Sequence, residues 1–193
     1  MSNSKIQTKS IVVAISSSHR DRSNSEAMLK ACVGEIEKNG IKVELIILRN
    51  INFLPCDGCK DCDTNESCHI KDSLTNIYPK LLNAEVWLIA SPEYWWNVSG
   101  LCKSFLDRLN AYWKSREKYF KGKSVAIFTC GGQPTDRNHY AEDYLRLLFT
   151  KIYFNILGSV RASAENPQEV LNQKETIEKC RELGRQIAEN LKK

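Results

Sequence analysis

Apolar residues in this chain gather in short continuous runs, separated by longer stretches where they recur every three or four positions. The runs at residues 10–15 (SIVVAI), 42–48 (KVELIIL), 86–90 and 124–129 (SVAIFT) predict buried strands, and a weaker run at 156–162 predicts a fifth. Helical periodicity covers residues 26–38, ending at Asn39-Gly40, and residues 72–83, with Asp72 as cap. Three more helices are expected at 99–112, at 139–154 and after Pro167. Strands that are apolar throughout and alternate with helices imply an α/β fold, a parallel sheet with right-handed crossovers and helices on both faces. Five such strands fit the doubly wound order 2-1-3-4-5, in which a ligand lies beyond the carboxyl ends, in the crevice between strands 1 and 3. With no linker, repeat or low-complexity tract, residues 1–193 are expected to form one domain.

Composition narrows the function. The 193 residues are 42% hydrophobic, enough for a sizeable core. The net charge of +5 is modest, and acids are interspersed with the bases, above all over residues 174–193, so no nucleic-acid footprint stands out. Residues 1–10 are polar and lack the apolar stretch of a secretory signal, and no run approaches the roughly 20 apolar residues of a membrane span. A cytoplasmic location without membrane partners is the expectation. In that compartment thiols stay reduced, so four cysteines within a window of thirteen residues read first as a metal site.

Those cysteines are Cys56, Cys59, Cys62 and Cys68, separated by two, two and five residues in a loop over residues 54–70. Three thiolates so closely spaced can wrap one compact inorganic centre, and the pattern parallels the repeated two-residue spacing of bacterial [4Fe–4S] ligands. Gly58 and the polar residues 63–67 allow the tight turns required. Tetrahedral zinc is the main rival, although structural zinc sites more often use two separated pairs, and non-ligating thiols or redox disulfides are a third reading.

Three further loops fall on the carboxyl edge of the predicted sheet. In residues 16–25 (SSSHRDRSNS), behind strand 1, hydroxyls, guanidinium groups and the free N–H groups of a helix start can converge on a phosphate. Taken alone, the segment is equally a capped helix behind a polar loop, and it has neither GxGxxG nor a Walker lysine. Residues 90–100 (ASPEYWWNVSG) carry three adjacent aromatics that either meet a ligand or cover the sheet or a subunit interface. Thr129, Cys130, Gly131 and Gly132 end strand 4 with a glycine pair that permits close backbone approach to a planar group.

Residues 15–26 (ISSSHRDRSNSE) resemble the phosphate loop I-S-G-S-P-R-x-G-S-N-T-E of the NAD(P)H-dependent FMN reductase-like flavodoxins. Residues 91–94 (SPEY) are similar to that family's S-P-x-Y segment, and residues 99–108 continue as S-x-x-x-K-x-F-x-D-R. The cysteine spacing resembles that of the iron–sulfur flavoproteins within the same family, and the likeness spans residues 11–158. It implies a flavodoxin-like fold, FMN, a [4Fe–4S] cluster at Cys56, Cys59, Cys62 and Cys68, and a homodimer or homotetramer. Ser16, Ser18, Arg20, Ser23, Asn24 and Ser25 would take the phosphate; Pro92, Glu93, Tyr94, Trp95, Trp96 and Asn97 would wrap the isoalloxazine, with Thr129, Cys130, Gly131 and Gly132 beside it.

The resemblance further implies electron transfer to a small-molecule acceptor, from a ferredoxin-like donor or from NAD(P)H. The alternative is an NAD(P)H-dependent FMN or quinone reductase with zinc or no metal at the cysteine loop. A non-enzymatic metal-stabilised binding module is a third class. Ser17, His19 and Arg22 stand where the family has glycine, proline and glycine, a departure that bears on the backbone path and on torsions open to glycine alone. Because the cofactors do the chemistry, no catalytic acid, base or nucleophile is nominated, and His19, His69 and His139 read as loop or helix-start residues. Cys32, Cys102 and Cys180 read as packing residues, and Cys130 as structural though near the flavin.

Overall fold

The computed structural model describes residues 11–137 and 139–193; the polar start read above at residues 1–10 lies outside them. The strands Val12–Ser16 (β1), Val43–Ile47 (β2), Val86–Tyr94 (β3), Ser124–Gly131 (β5) and Asn155–Ser163 (β6) form a parallel sheet in the order β2-β1-β3-β5-β6. Counting only these strands, that is the expected 2-1-3-4-5. A short strand, Asn97–Val98 (β4), pairs antiparallel with the end of β3.

Alternation along each strand explains the two cores. Val13 and Ile15 of β1, Trp87 and Ile89 of β3, and Val125 and Ile127 of β5 face one side. There they meet Ser73–Asn83 (α3), Gly100–Arg108 (α4) and Tyr140–Lys151 (α6). Val12, Ala14, Leu88, Ala90, Ala126 and Phe128 face the other side, against Asn24–Lys38 (α1) and Lys174–Asn190 (α7). Both faces are covered, so the central strands are apolar throughout. Cys102 is buried in the first core, and Cys32 and Cys180 in the second. Burial raises the Cys102 thiol to about 11 and the Cys180 thiol to about 12, which leaves both neutral.

Several elements depart from the sequence pattern. Strand β3 runs past residue 90 to Tyr94, because Ser91 and Pro92 continue in register beside Thr129 and Cys130 of β5 and the chain then turns back as β4. The final helix starts at Lys174 rather than behind Pro167, since Gln168 takes a left-handed φ of 61° and Glu169–Asn172 makes only a 3₁₀ turn. Two short helices, Cys62–Asn65 (α2) and Arg116–Phe120 (α5), are too brief for periodicity to reveal. No helix among the described residues is long and apolar enough to cross a membrane.

Candidate functional site

Ser23 caps α1, its hydroxyl accepting from Glu26 N at 3.2 Å, and this leaves Asn24 and Ser25 at the open end of the helix, lining a cleft. Ser17 ties the loop to β3: its amide and hydroxyl both donate to Ala90 O, at 2.9 and 2.7 Å, while Ser99 Oγ donates to Ser17 O at 2.6 Å. The carboxyl ends of β1 and β3 are thereby fixed, and Ser18 and Arg20 face the cleft between them. Arg22 adopts a φ of 53°, so the backbone keeps a left-handed turn at a residue where glycine would do so freely. Its guanidinium spends two donors on Gln168 Oε1, outside the cleft, and Arg20 Nη1 donates to Glu165 O at 2.7 Å.

Ser16 does not reach the cleft. Its hydroxyl donates to Glu26 Oε2 at 3.1 Å, within a buried network that Lys30 (2.7 Å) and Arg49 complete. Burial works against the charged carboxylate of Glu26, but the hydrogen bonds from Arg49, Lys30 and Ser16 outweigh it and hold the group at about 2. A pKa below the ordinary 4.5 makes this network stabilising above pH 4.5, with the stability lost as the pH falls from 4.5 toward 2. The loss is expected to be on the order of 3 kcal/mol. Urea midpoints measured down to pH 3 check it: Glu26→Gln should flatten that acid limb, and an equally steep limb in the variant would reject the assignment.

The second loop forms a hairpin, Tyr94 pairing with Asn97 across Trp95 and Trp96. Both tryptophans take left-handed torsions, φ 49° and 55°, as a two-residue hairpin turn demands. Asn-Gly is the usual occupant, and two bulky L-residues there cost on the order of 1 kcal/mol each. Neither ring recovers this by burial, since Trp95 is 88% exposed and Trp96 58%, set edge to face with centroids 5.6 Å apart. They wall one side of a cavity of about 180 Å³ whose other residues are Glu93, Gly131, Gly132 and Gln133. Asn97 lies in β4 and its Oδ1 accepts from Val98 N, turned to the hairpin itself.

A second cavity of about 180 Å³ shares Glu93, Gly131 and Gly132 with the first, so the two make one cleft. Besides the α1 loop it is lined by Pro92, Tyr94, Cys130, Ala164 and Glu165. Glu93 is engaged, its carboxylate accepting from Ala141 N at the start of α6 at 2.8 Å. Thr129 is buried with its hydroxyl unpartnered and does not line the cleft. Burial lifts the Cys130 thiol to about 12, so it stays neutral, donating to Ala164 O at 3.7 Å. Gln133 belongs to the loop expected after the fourth strand, whereas Ala164 and Glu165 escape the sequence reading; their signal is the Asn166-Pro167 turn behind the last strand, whose carboxyl end must share this edge. A larger cavity, about 470 Å³, lies against the outer strand β6 and α7, away from the carboxyl-end loops.

The cysteine segment leaves the carboxyl edge after β2, with Gly58, Lys60 and Glu66 in left-handed turns. Cys62 and Cys68 pack against the core, Cys56 is half-buried, and Cys56 and Cys68 lie close enough to Cys62 for their charge to bear on it. Burial and the Asp63 carboxylate raise the Cys62 thiol, so a metal binding there must displace its proton. Asn110 Nδ2 donates to Cys62 Sγ at 3.6 Å, and Glu66 accepts from Tyr119 Oη at 2.8 Å and from Ser115, so residues 110–119 form the seat of the loop. Cys59 is exposed, with its sulfur, an Asp57 oxygen and a His69 nitrogen all within 4.8 Å of one another. His69 Nε2 pairs with Asp57 Oδ2 at 2.7 Å, and His139 Nδ1 with Asp143 Oδ2 at 2.6 Å, while His19 sits exposed in the first loop.

Helix α4 joins the two regions. It begins at Gly100, directly behind the hairpin, and ends at Arg108 beneath the cysteine loop, a span of about 13 Å for nine residues.

Comparison with known proteins bears on the family and the fold. A family model described as NADPH-dependent FMN reductase matches residues 11–167. An iron-sulfur flavoprotein of Methanocaldococcus jannaschii is 27% identical over 192 residues, covering 94% of this chain and 97% of the relative. An iron-sulfur flavoprotein of Archaeoglobus fulgidus is 27% identical over 180 residues, covering 92% and 78%. Among solved structures, the Trp repressor binding protein from Bacillus subtilis superposes with a TM-score of 0.70 at 17% identity, covering 89% of this chain and 98% of that one. An FMN-dependent NADH-azoreductase from Bacillus anthracis gives 0.68 at 15% identity, covering 92% and 99%. These two likenesses speak to the fold alone.

Proposed function

The chain belongs to the NADPH-dependent FMN reductase family, and from that premise we propose that it is an FMN-binding iron–sulfur flavoprotein that transfers electrons to a small-molecule acceptor. The observation that carries this reading is the shared helix α4, which runs from the flavin-loop hairpin to the seat of the four-cysteine loop.

The cleft fits FMN by the chemistry of its donors. Ser18, Ser23 and Ser25 supply hydroxyls and the α1 terminus supplies amides at one end, with Arg20 beside them, which suits a phosphate. At the other end Gly131 and Gly132 bring bare backbone to the cleft and Trp95 and Trp96 wall it, which suits a flat ring. Cys56, Cys59, Cys62 and Cys68 would hold the cluster, with Asn110 donating a hydrogen bond to the Cys62 sulfur. When bound, FMN supplies one- and two-electron chemistry and the cluster one-electron chemistry. The protein's own part is to bind both, to orient the ring between the glycine pair and the tryptophans, and to aim a ligand-directed N–H at a sulfur. Cys130 lines the cleft as a buried thiol that burial keeps neutral. A homodimer or homotetramer and a ferredoxin-like or NAD(P)H donor complete the proposal.

One observation favours a second reading, a reductase with a single metal ion. Asp57, Cys59 and His69 gather a mixed oxygen, sulfur and nitrogen donor set of the kind zinc accepts. Anaerobic purification with quantitation of iron, sulfide, zinc and FMN decides between the two. Iron and sulfide present with FMN support the iron–sulfur reading, whereas zinc near one per chain, without sulfide, rejects it.

A further inference from the structure

Arg108, the last residue of α4, is 1% exposed and among the largest fully buried side chains of the protein. A guanidinium withdrawn from water is tolerated only where its donors are met. Nη1 donates to Asp72 Oδ2 at 2.6 Å and to Leu54 O at 2.7 Å; Nη2 donates to Asp72 Oδ1 at 3.2 Å and to Ile70 O at 3.3 Å. Leu54 stands two residues before Cys56, and Ile70 two residues after Cys68. Asp72 in turn accepts from Leu54 N and from Leu74 N, each at 3.0 Å. One fork-to-fork pair therefore bridges the entry and exit strands of the cysteine loop.

Besides this clasp, Ser73 N donates to Asn52 O at 3.3 Å behind the stems, and the exposed His69 pairs with Asp57 at 2.7 Å across the loop. Leu54 is 59% exposed and α2 is a single turn, so between the two stems few apolar contacts oppose opening. The Nε–H of Arg108 is also buried without a hydrogen-bond partner, an unspent donor beneath a segment of four thiols. Residues 99–108 match a family pattern ending in Asp-Arg, but nothing in that pattern tells what the arginine touches.

We propose that Arg108 is the positioning residue that holds the cysteine loop closed, keeping Cys56 and Cys68 at the spacing one inorganic centre requires; the inference rests on the iron–sulfur reading above. Lysine is the informative replacement, because it keeps the charge but reaches the carbonyls and carboxylate as a single point instead of a fork. In Arg108→Lys, iron release to a chelator, followed as decay of the broad visible absorbance, is expected to be about tenfold faster than in the wild type, and faster still in Arg108→Met. FMN content should stay unchanged, whereas the melting temperature should fall, more in Arg108→Met than in Arg108→Lys, because the methionine leaves the Asp72 carboxylate without its cation. Release at the wild-type rate, or loss of FMN and fold together with iron, would overturn the proposal. Should Arg108→Lys fail to fold, Asp72→Asn, which keeps an acceptor for Leu74 N, carries the same comparison. If the wild type holds no iron, the functional reading fails and the clasp is judged by amide exchange at Leu54 and Leu74 in the metal-free chain. About tenfold faster exchange in Arg108→Lys supports it, and unchanged exchange rejects it.

Discussion

Replacing Cys59 by serine is expected to strip the protein of iron while leaving its flavin in place. Serine is isosteric, but its hydroxyl does not ionise near neutrality as a thiol does, so a cluster bound by four thiolates loses one anionic anchor. Iron per chain should drop at least about tenfold, in line with metal sites whose surroundings alone shift affinity by that much. The fold should hardly notice, because Cys59 is exposed and outside both cores. FMN should also stay, since the cysteine loop contributes no residue to the cleft. His69→Ala sharpens the test: it leaves iron unchanged if four cysteines are the ligands, but removes the metal if Asp57, Cys59 and His69 hold it. An unchanged iron content in Cys59→Ser would end the four-thiolate assignment.

Adding one methyl group at Gly184 should destabilise the protein more than any surface change. Gly184 is where α7 meets α1, and a Cβ there would sit 2.5 Å from Cys32 O and 3.1 Å from Glu35 Cβ. The first neighbour is backbone of a packed helix, so relief requires the two helices to part, opening the core around Cys32, Cys180 and Leu183. Overpacking of this kind costs about 3 kcal/mol, the upper end of the usual range. For a chain of this size that corresponds to a melting temperature lower by roughly 6–12 °C. Gly34→Ala supplies the contrast, because a Cβ there meets nothing within 4 Å inside the same α1 helix. Helix propensity then dominates and predicts a gain of about 0.5–1 kcal/mol. Equal melting temperatures for wild type and Gly184→Ala would show that α1 and α7 slide apart freely.

The sheet was legible in the chain because burial on both faces leaves its mark on every residue of a strand. Val12 to Ile15, Val86 to Ala90 and Val125 to Phe128 are apolar throughout, and five such strands alternating with helices fit the doubly wound order that the sheet takes. That the strand-to-helix loop lines the cleft was legible for a related reason: hydroxyls at such a junction have few roles besides capping and anion binding. Ser16 shows the limit, since one position earlier on β1 the same hydroxyl turns to Glu26.

What the amino-acid sequence determined by itself was thus the alternation of elements, the edge on which the functional loops gather and the cysteine spacing, because each is written in local periodicity and short-range chemistry. Only the tertiary structure decided that Trp95 and Trp96 occupy a strained hairpin turn, that Ala164 and Glu165 complete the cleft, and that Arg108 bridges Leu54, Ile70 and Asp72. These features join residues far apart in the chain or override local preference. Their stability comes from packing and paired charges that exist only once the sheet has closed on its helices.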